Sequence, residues 1–242
     1  MFDDSNKYVF ILFIFAMNNL TVMASQTEEN YLKAIFSLAN EENEVNITEL
    51  SNLLNVSLST VNSMIKNLNK QTLVNYEKYR PLSLTTKGLK EAALIIRKHR
   101  LTEMYLVEKM GFGWEEVHDI AEQIEHIDSP IFFDRMDEMM GYPKIDPHGS
   151  PIPDENGKIA RAIYRKLSDC KAGDIVKLSA LANSSIDFLK YLNRSGLNLS
   201  VVIEILSVEP FDSNMLVSYT NHPSETLSKI VCSGLLVENL SQ

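Results

Sequence analysis

Apolar residues recur at helical spacing from the first part of the chain onward. Tyr31, Leu32, Ile35, Phe36 and Leu38 share one side of a helix, with Thr27 as its cap and Glu28 and Glu29 at its positive end. A polar stretch, Asn40 to Glu44, interrupts the pattern. Two shorter stripes follow: Ile47, Leu50, Leu53 and Leu54, then Val61, Met64, Ile65 and Leu68, separated by Asn55-Val56-Ser57. From Leu73 to Thr85 the sequence predicts a strand, a tight turn near Arg80-Pro81 and a second strand. Thr86-Lys87-Gly88 opens a long helix through Leu89, Leu94, Ile95, Ile96, Leu101, Tyr105, Leu106 and Met110, and Gly111-Phe112-Gly113 ends it. Trp114-Glu115-Glu116 opens the next helix, which runs through Val117 to His126, and Ser129 to Met140 forms another. The Pro/Gly-rich run from Asp146 to Gly157 reads as a linker, with His148 as a loop residue. Beyond it lie short strand-like runs at Asp174–Leu178, Val201–Ile205, Met215–Tyr219 and Lys229–Cys232, with a short helix at Asp187–Leu192. The fold expected is mainly α with a C-terminal β domain, the latter a small β-barrel.

Two short helices followed at once by a hairpin form a winged helix-turn-helix. Small polar residues crowd the start of the second helix: Ser57, Ser59, Thr60, Asn62 and Ser63. Short side chains there let a helix approach base edges closely. Lys66 on that helix and Lys78, Tyr79 and Arg80 at the hairpin tip suit phosphate oxygens. Charge changes the picture in the same direction. The 242-residue chain carries a net charge of -9, yet Ile47 to Arg100 holds nine basic and three acidic side chains, a local +6. A basic working face on an acidic protein points to double-stranded DNA as partner. Palindromic DNA sites call for a homodimer, and the aromatic and methionine side chains of the 129–140 helix are candidates for its interface. Two cysteines, Cys170 and Cys232, without metal or disulfide spacing fit a reducing cytoplasm.

Tyr8 to Met17 is a run of ten apolar residues, too short to span a bilayer and preceded by acids rather than a basic region. Met23 begins a plausible start, so residues 1–22 read as a leader outside the folded protein, from an over-extended reading frame or as a disordered segment. A membrane anchor is the alternative there; no membrane partner is expected.

In the 117–126 stretch, His118, Glu122, Glu125 and His126 fall within a third of the helical circumference. Two imidazoles and two carboxylates on one face suit a divalent first-row ion. His99 and Glu103 make a second pair at i, i+4 on the preceding helix. A solvated polar face is the alternative for both.

These features together resemble the diphtheria-toxin-repressor family of metal-dependent bacterial transcription regulators, near its manganese-transport-regulator branch. The resemblance is carried by Thr27 to Leu32, Tyr76 to Arg80, Leu84 to Gly88, Arg97 to Leu101, Val117-His118-Asp119 and Glu122 to His126. It implies two metal sites per subunit. Glu122, Glu125 and His126 match the primary site, closed by Asn30; His99, Glu103 and His118 match an ancillary site, with Asp187 reaching back from the small domain. Asn30 stands where the family usually shows Asp or Met, which leaves an uncharged amide oxygen as ligand. Glu122 replaces the Cys of iron-type members, which favours Mn(II), with Fe(II) as alternative. Lys33 departs from the acidic residue of the manganese-type relative and argues against a closely paired binuclear site. The implied organisation is a winged helix-turn-helix domain at 23–88, a helical metal-binding and dimerisation domain at 89–145, a linker at 146–168 and an SH3-like, iron-transport-A-like domain at 169–242. The implied activity is repression of metal-uptake genes on loading with metal, with no enzymatic reaction. A carboxylate-bridged di-metal enzyme and a winged-helix regulator that has lost metal sensing are the competing readings.

Overall fold

The computed structural model describes residues 25–78 and 80–240, so the expected leader at 1–22 and the wing residue Tyr79 lie outside the described residues. The chain divides into two compact units at Gly88/Leu89.

In the first unit, α1 (Gln26–Leu38) is capped by Ser25, two residues before the expected Thr27. The Ser25 hydroxyl accepts the N–H of Glu28, and the Glu28 carboxylate accepts the N–H of Ser25, which satisfies two otherwise orphaned donors. α2 (Ile47–Leu53) is capped by Asn46 and α3 (Leu58–Lys70) by Ser57. The turn between them passes through Asn55 at φ 52°. Leu32, Ile35, Leu50, Val61, Ile65 and Leu68 are fully buried and form the core of the three helices. Leu53, expected in the α2 stripe, is instead 54% exposed as the last residue of that helix.

The wing is shorter than the sequence predicts. β1 (Val74–Asn75) and β2 (Ser83–Leu84) pair antiparallel, Val74 with Leu84 and Asn75 with Ser83, and a bridge joins Val45 to Leu82. The Arg80 N–H donates to the Glu77 carbonyl at 3.1 Å, beside the expected Arg80-Pro81 position. After the wing, Thr85 caps the following turn by accepting the N–H of Gly88. Gly88 is required there: a Cβ would stand 1.9 Å from the Leu73 carbonyl oxygen. No side chain fits between the strand and the helix that follows.

That helix, α4 (Thr86–Met110), leads into the second unit and ends at Gly111 with φ 76°. The next helix starts later than expected. Residues 114–117 form turns and α5 spans His118–Ile124, with Glu125 as its C-cap. α6 (Pro130–Met139) buries Phe133 and Met136 and exposes Ile131, Phe132 and Met139. The segment after it is packed rather than loose. Arg97 donates to the Pro153 carbonyl and Arg100 to the Pro151 carbonyl, which ties this backbone to α4.

The C-terminal part is an antiparallel sheet of β3 (Arg165–Lys166), β4 (Ile175–Leu181), β5 (Val202–Val208), β6 (Met215–Tyr219), β7 (His222–Leu227) and β8 (Leu235–Asn239), in the order β3-β8-β4-β5-β6-β7. Its buried face holds Val176, Leu178, Ile203, Ile205, Met215, Val217, Leu235 and Val237, and α7 (Ile186–Arg194) packs Leu189 and Leu192 against them. The strand expected at Lys229–Cys232 is a helix, α8 (Lys229–Gly234). The Ser228 hydroxyl accepts the N–H of Val231, and this cap overrides the β-branched residues that follow. β7 escaped the pattern because it holds Pro223 and Glu225. It is an edge strand, where a missing N–H is tolerated. Among the described residues no helix is long and apolar enough to cross a membrane.

Candidate metal centre and DNA-binding face

The metal candidates on α4 and α5 meet in one network. His99 and Glu103 lie one turn apart on α4, and both are buried. His99 Nδ1 is 2.6 Å from Glu125 Oε2, and its Nε2 is 3.0 Å from Glu103 Oε1. His118 Nδ1 lies 3.4 Å from the same Glu103 oxygen. Glu122 Oε1 is 3.7 Å from both His99 Nδ1 and His118 Nε2. His126 Nε2 is 3.7 Å from Glu125 Oε1. His99, His118 and Glu122 each offer a ligand atom within 4.8 Å of the others. The structure thus brings Glu122 and Glu125 into contact with the His99, Glu103 and His118 set, with His126 beside Glu125 and His99 the link between the two sets.

The electrostatics follow from burial. Burial alone would lower the pKa of His99, but hydrogen bonds to Glu103 and Glu125, and their charges, push it up to about 9. Burial would raise Glu103, but hydrogen bonds from His118, His148 and His99 hold its carboxyl well below the usual range. Without a metal, then, a proton on His99 stands in for positive charge between carboxylates. Hard carboxylate oxygens with imidazole nitrogens, short of positive charge, are a donor set that fits a divalent cation.

Two further predicted ligands lie on other helices. Asn30, on α1 in the first unit, has its Oδ1 buried without a hydrogen-bond partner. An orphaned buried acceptor is costly, and a cation would satisfy it. Asp187 is exposed on α7. The cleft of about 230 Å³ beside His118 is lined from that helix by Ile186 and Lys190 rather than by Asp187.

The sequence reading missed Asp146, His148 and Arg100. Asp146 Oδ1 accepts the N–H groups of His148 and Ser150, forming a tight turn. The turn buries His148, whose Nε2 lies 2.9 Å from the Trp114 carbonyl and whose Nδ1 lies 3.6 Å from Glu103 Oε2. Arg100 Nε stands 3.4 Å from Asp146 Oδ2 and supplies that carboxylate with its counter-charge. An Asp four residues before Ser in a Pro/Gly-rich run was the available signal for a structured turn.

The DNA-facing candidates cluster on the first unit. Ser57 Oγ, besides capping α3, lies 2.7 Å from Ser59 Oγ and 2.9 Å from Thr60 Oγ1. These three hydroxyls are exposed as one group at the helix start, with Ser63 and Lys66 exposed further along. Asn62 is braced: its Nδ2 donates to the Leu58 carbonyl, and its Oδ1 accepts from the Tyr76 hydroxyl at 3.2 Å. Tyr76 thereby links the wing to α3. Lys78 and Arg80 are exposed at the wing, where Arg80 pairs with Glu77 at 3.1 Å.

Two family models match the chain. Residues 23–82 match "Iron dependent repressor, N-terminal DNA binding domain", and residues 85–154 match "Iron dependent repressor, metal binding and dimerisation domain". The iron-dependent repressor IdeR of Mycobacterium leprae is 28% identical over 238 residues, 93% of this chain and all of that protein. The HTH-type transcriptional regulator MntR of Oceanobacillus iheyensis is 32% identical over 124 residues, 51% of this chain and 84% of that protein. A solved manganese-dependent transcriptional repressor in complex with manganese superposes with a TM-score of 0.80 at 30% identity, covering 88% of this chain and all of that one.

Proposed function

The chain belongs to the iron-dependent repressor family of metal-dependent transcriptional repressors, and on that premise we propose that it binds operator DNA as a homodimer when loaded with Mn(II), Fe(II) being the alternative ion, and so controls metal-uptake genes in the cytoplasm. The observation that carries this reading is the buried carboxylate–imidazole network joining α4 to α5. A divalent cation supplies the positive charge which that network lacks. Glu122, Glu125, His126 and Asn30 are the proposed ligands of a regulatory site, and His99, Glu103 and His118 those of an adjoining one. The proposed DNA contacts are Ser57, Ser59, Thr60, Asn62, Ser63, Lys66, Lys78, Tyr79 and Arg80. The exposed side chains of α6, Ile131, Phe132 and Met139, are the proposed dimer contacts.

Glu122 is the reason to favour manganese. A carboxylate in place of a thiolate suits a harder ion. The test is fluorescence anisotropy with duplexes selected from a random pool, titrated anaerobically with Mn(II) and Fe(II) separately. Tight binding only with an added ion supports the reading; equal binding in chelator overturns it. Asn30 bears on the choice as well. Asn30→Asp replaces a neutral oxygen with a charged one and is expected to raise Mn(II) affinity about tenfold, through the added Coulomb attraction. Isothermal titration with Mn(II) reads this directly, and an unchanged affinity removes residue 30 from the ligand set.

A further inference from the structure

Glu28 makes contacts that neither capping nor metal binding explains. The residue is 8% exposed, in a helix otherwise buried through apolar side chains. Oε2 accepts the Ser25 N–H at 2.7 Å. Oε1 accepts two side-chain amides of the recognition helix, Asn67 Nδ2 at 2.7 Å and Gln71 Nε2 at 2.6 Å. Asn67 and Gln71 lie one turn apart at the C-terminal end of α3, Gln71 being its C-cap. Both amides thus converge on a single oxygen from the neighbouring helix.

Helix stability does not account for this placement. A carboxylate at a helix C-terminus faces the negative end of the dipole, which disfavours it. Burial adds a further penalty, which the hydrogen bonds from Ser25, Gln71 and Asn67 offset. What the arrangement provides is a charge-assisted, two-point clamp between α1 and α3. Asn30, the proposed metal ligand of α1, follows Glu28 by two residues and so points about 200° away around the helix. One side of α1 carries the ligand, and the opposite side grips the helix that reads DNA.

We propose that Glu28 is the positioning residue that couples metal binding to DNA reading, by making α1 and the recognition helix α3 move as one body. This rests on the functional reading above. When α1 is held through Asn30, the clamp fixes the far end of α3, and with it the Ser57–Ser59–Thr60 hydroxyl group at its start. Without the clamp, α1 can be held while α3 keeps its freedom.

The experiment measures two quantities on the full chain: Mn(II) affinity without DNA, and the ratio of duplex affinities with and without Mn(II), using a duplex selected from a random pool with the wild-type protein. Glu28→Ala is expected to leave Mn(II) affinity within about threefold and to cut the affinity ratio about tenfold, within the usual size of allosteric coupling. The swap Glu28→Gln with Asn67→Asp re-forms a hydrogen bond with donor and acceptor exchanged, and is expected to recover at least half of the ratio on a logarithmic scale. If Glu28→Ala fails to fold, Glu28→Gln alone keeps the size and one acceptor and reads the same ratio. A ratio that stays at the wild-type value overturns the coupling role, because a purely structural residue weakens DNA binding equally with and without metal. Failure of the swap to recover the ratio overturns the hydrogen-bond mechanism. Absence of any metal dependence in the wild type overturns the functional reading itself, and this proposal with it.

Discussion

Replacing Glu122 or His126 by Ala is expected to bring DNA binding in the presence of Mn(II) down to the metal-free level, a loss of about 5- to 150-fold, the usual size of allosteric coupling. The fold should survive. Glu122 is partly exposed at the middle of α5, and neither residue belongs to the apolar core. Removing Glu122 also removes one of the acceptors near His99 Nδ1, while Glu125 still holds that nitrogen at 2.6 Å. Circular dichroism of the metal-free variants should therefore match wild type, and anisotropy with Mn(II) should not. A variant that binds duplex as tightly as wild type, and just as dependently on the ion, contradicts the assignment of these residues. The contrast with Glu28→Ala is built in: ligand variants lose metal affinity, whereas the clamp variant keeps it.

The second expectation concerns pH. In the metal-free protein His99 titrates near 9 rather than at its ordinary 6.5. A folded-state pKa raised above the unfolded value contributes stability that is fully present below about 6.5 and is lost as pH rises through about 9. The size is at most of order 3 kcal/mol, from the shift at about 1.4 kcal/mol per unit. His148 is raised as well: burial lowers it, but its hydrogen bond to Glu103 outweighs this, so it adds in the same direction. A cation bound at His99 must displace the proton, so metal affinity is expected to rise over the window in which metal-free stability falls. Melting temperatures in chelator and in excess Mn(II), taken from pH 6.5 to 9, should diverge steadily as pH increases. Parallel curves would show that His99 does not exchange its proton for metal.

Local features of the chain made much of this legible. Helices α3 and α4 follow from apolar spacing, and the His99–Glu103 pair from the i, i+4 rule. Ser57, legible in the sequence only as a small polar side chain at the start of α3, also caps that helix. What stayed hidden depends on distant partners or on competition between local preferences. Glu28 looks like an ordinary acid in a first turn, and its partners Asn67 and Gln71 lie 39 and 43 residues on. His148 sits in a run whose prolines and glycine suggest a loose linker, yet the Asp146 turn and Arg100 fix it beside Glu103. At Lys229–Gly234 the β-branched pair Ile230-Val231 favoured a strand, and the Ser228 cap decided for a helix. The contact between the two predicted ligand sets, through His99, was invisible because His99 and Glu125 lie 26 residues apart in the chain.

Pro223 has one more consequence. β7 closes one side of the sheet and β3, only two residues long, closes the other. A long open edge invites another chain to add a strand, the usual route to fibrous aggregation. Here one edge lacks a donor at Pro223 and carries the charge of Glu225, and the other is too short to template pairing. Neither edge of the C-terminal sheet is therefore a long, uncharged template for a strand from another copy.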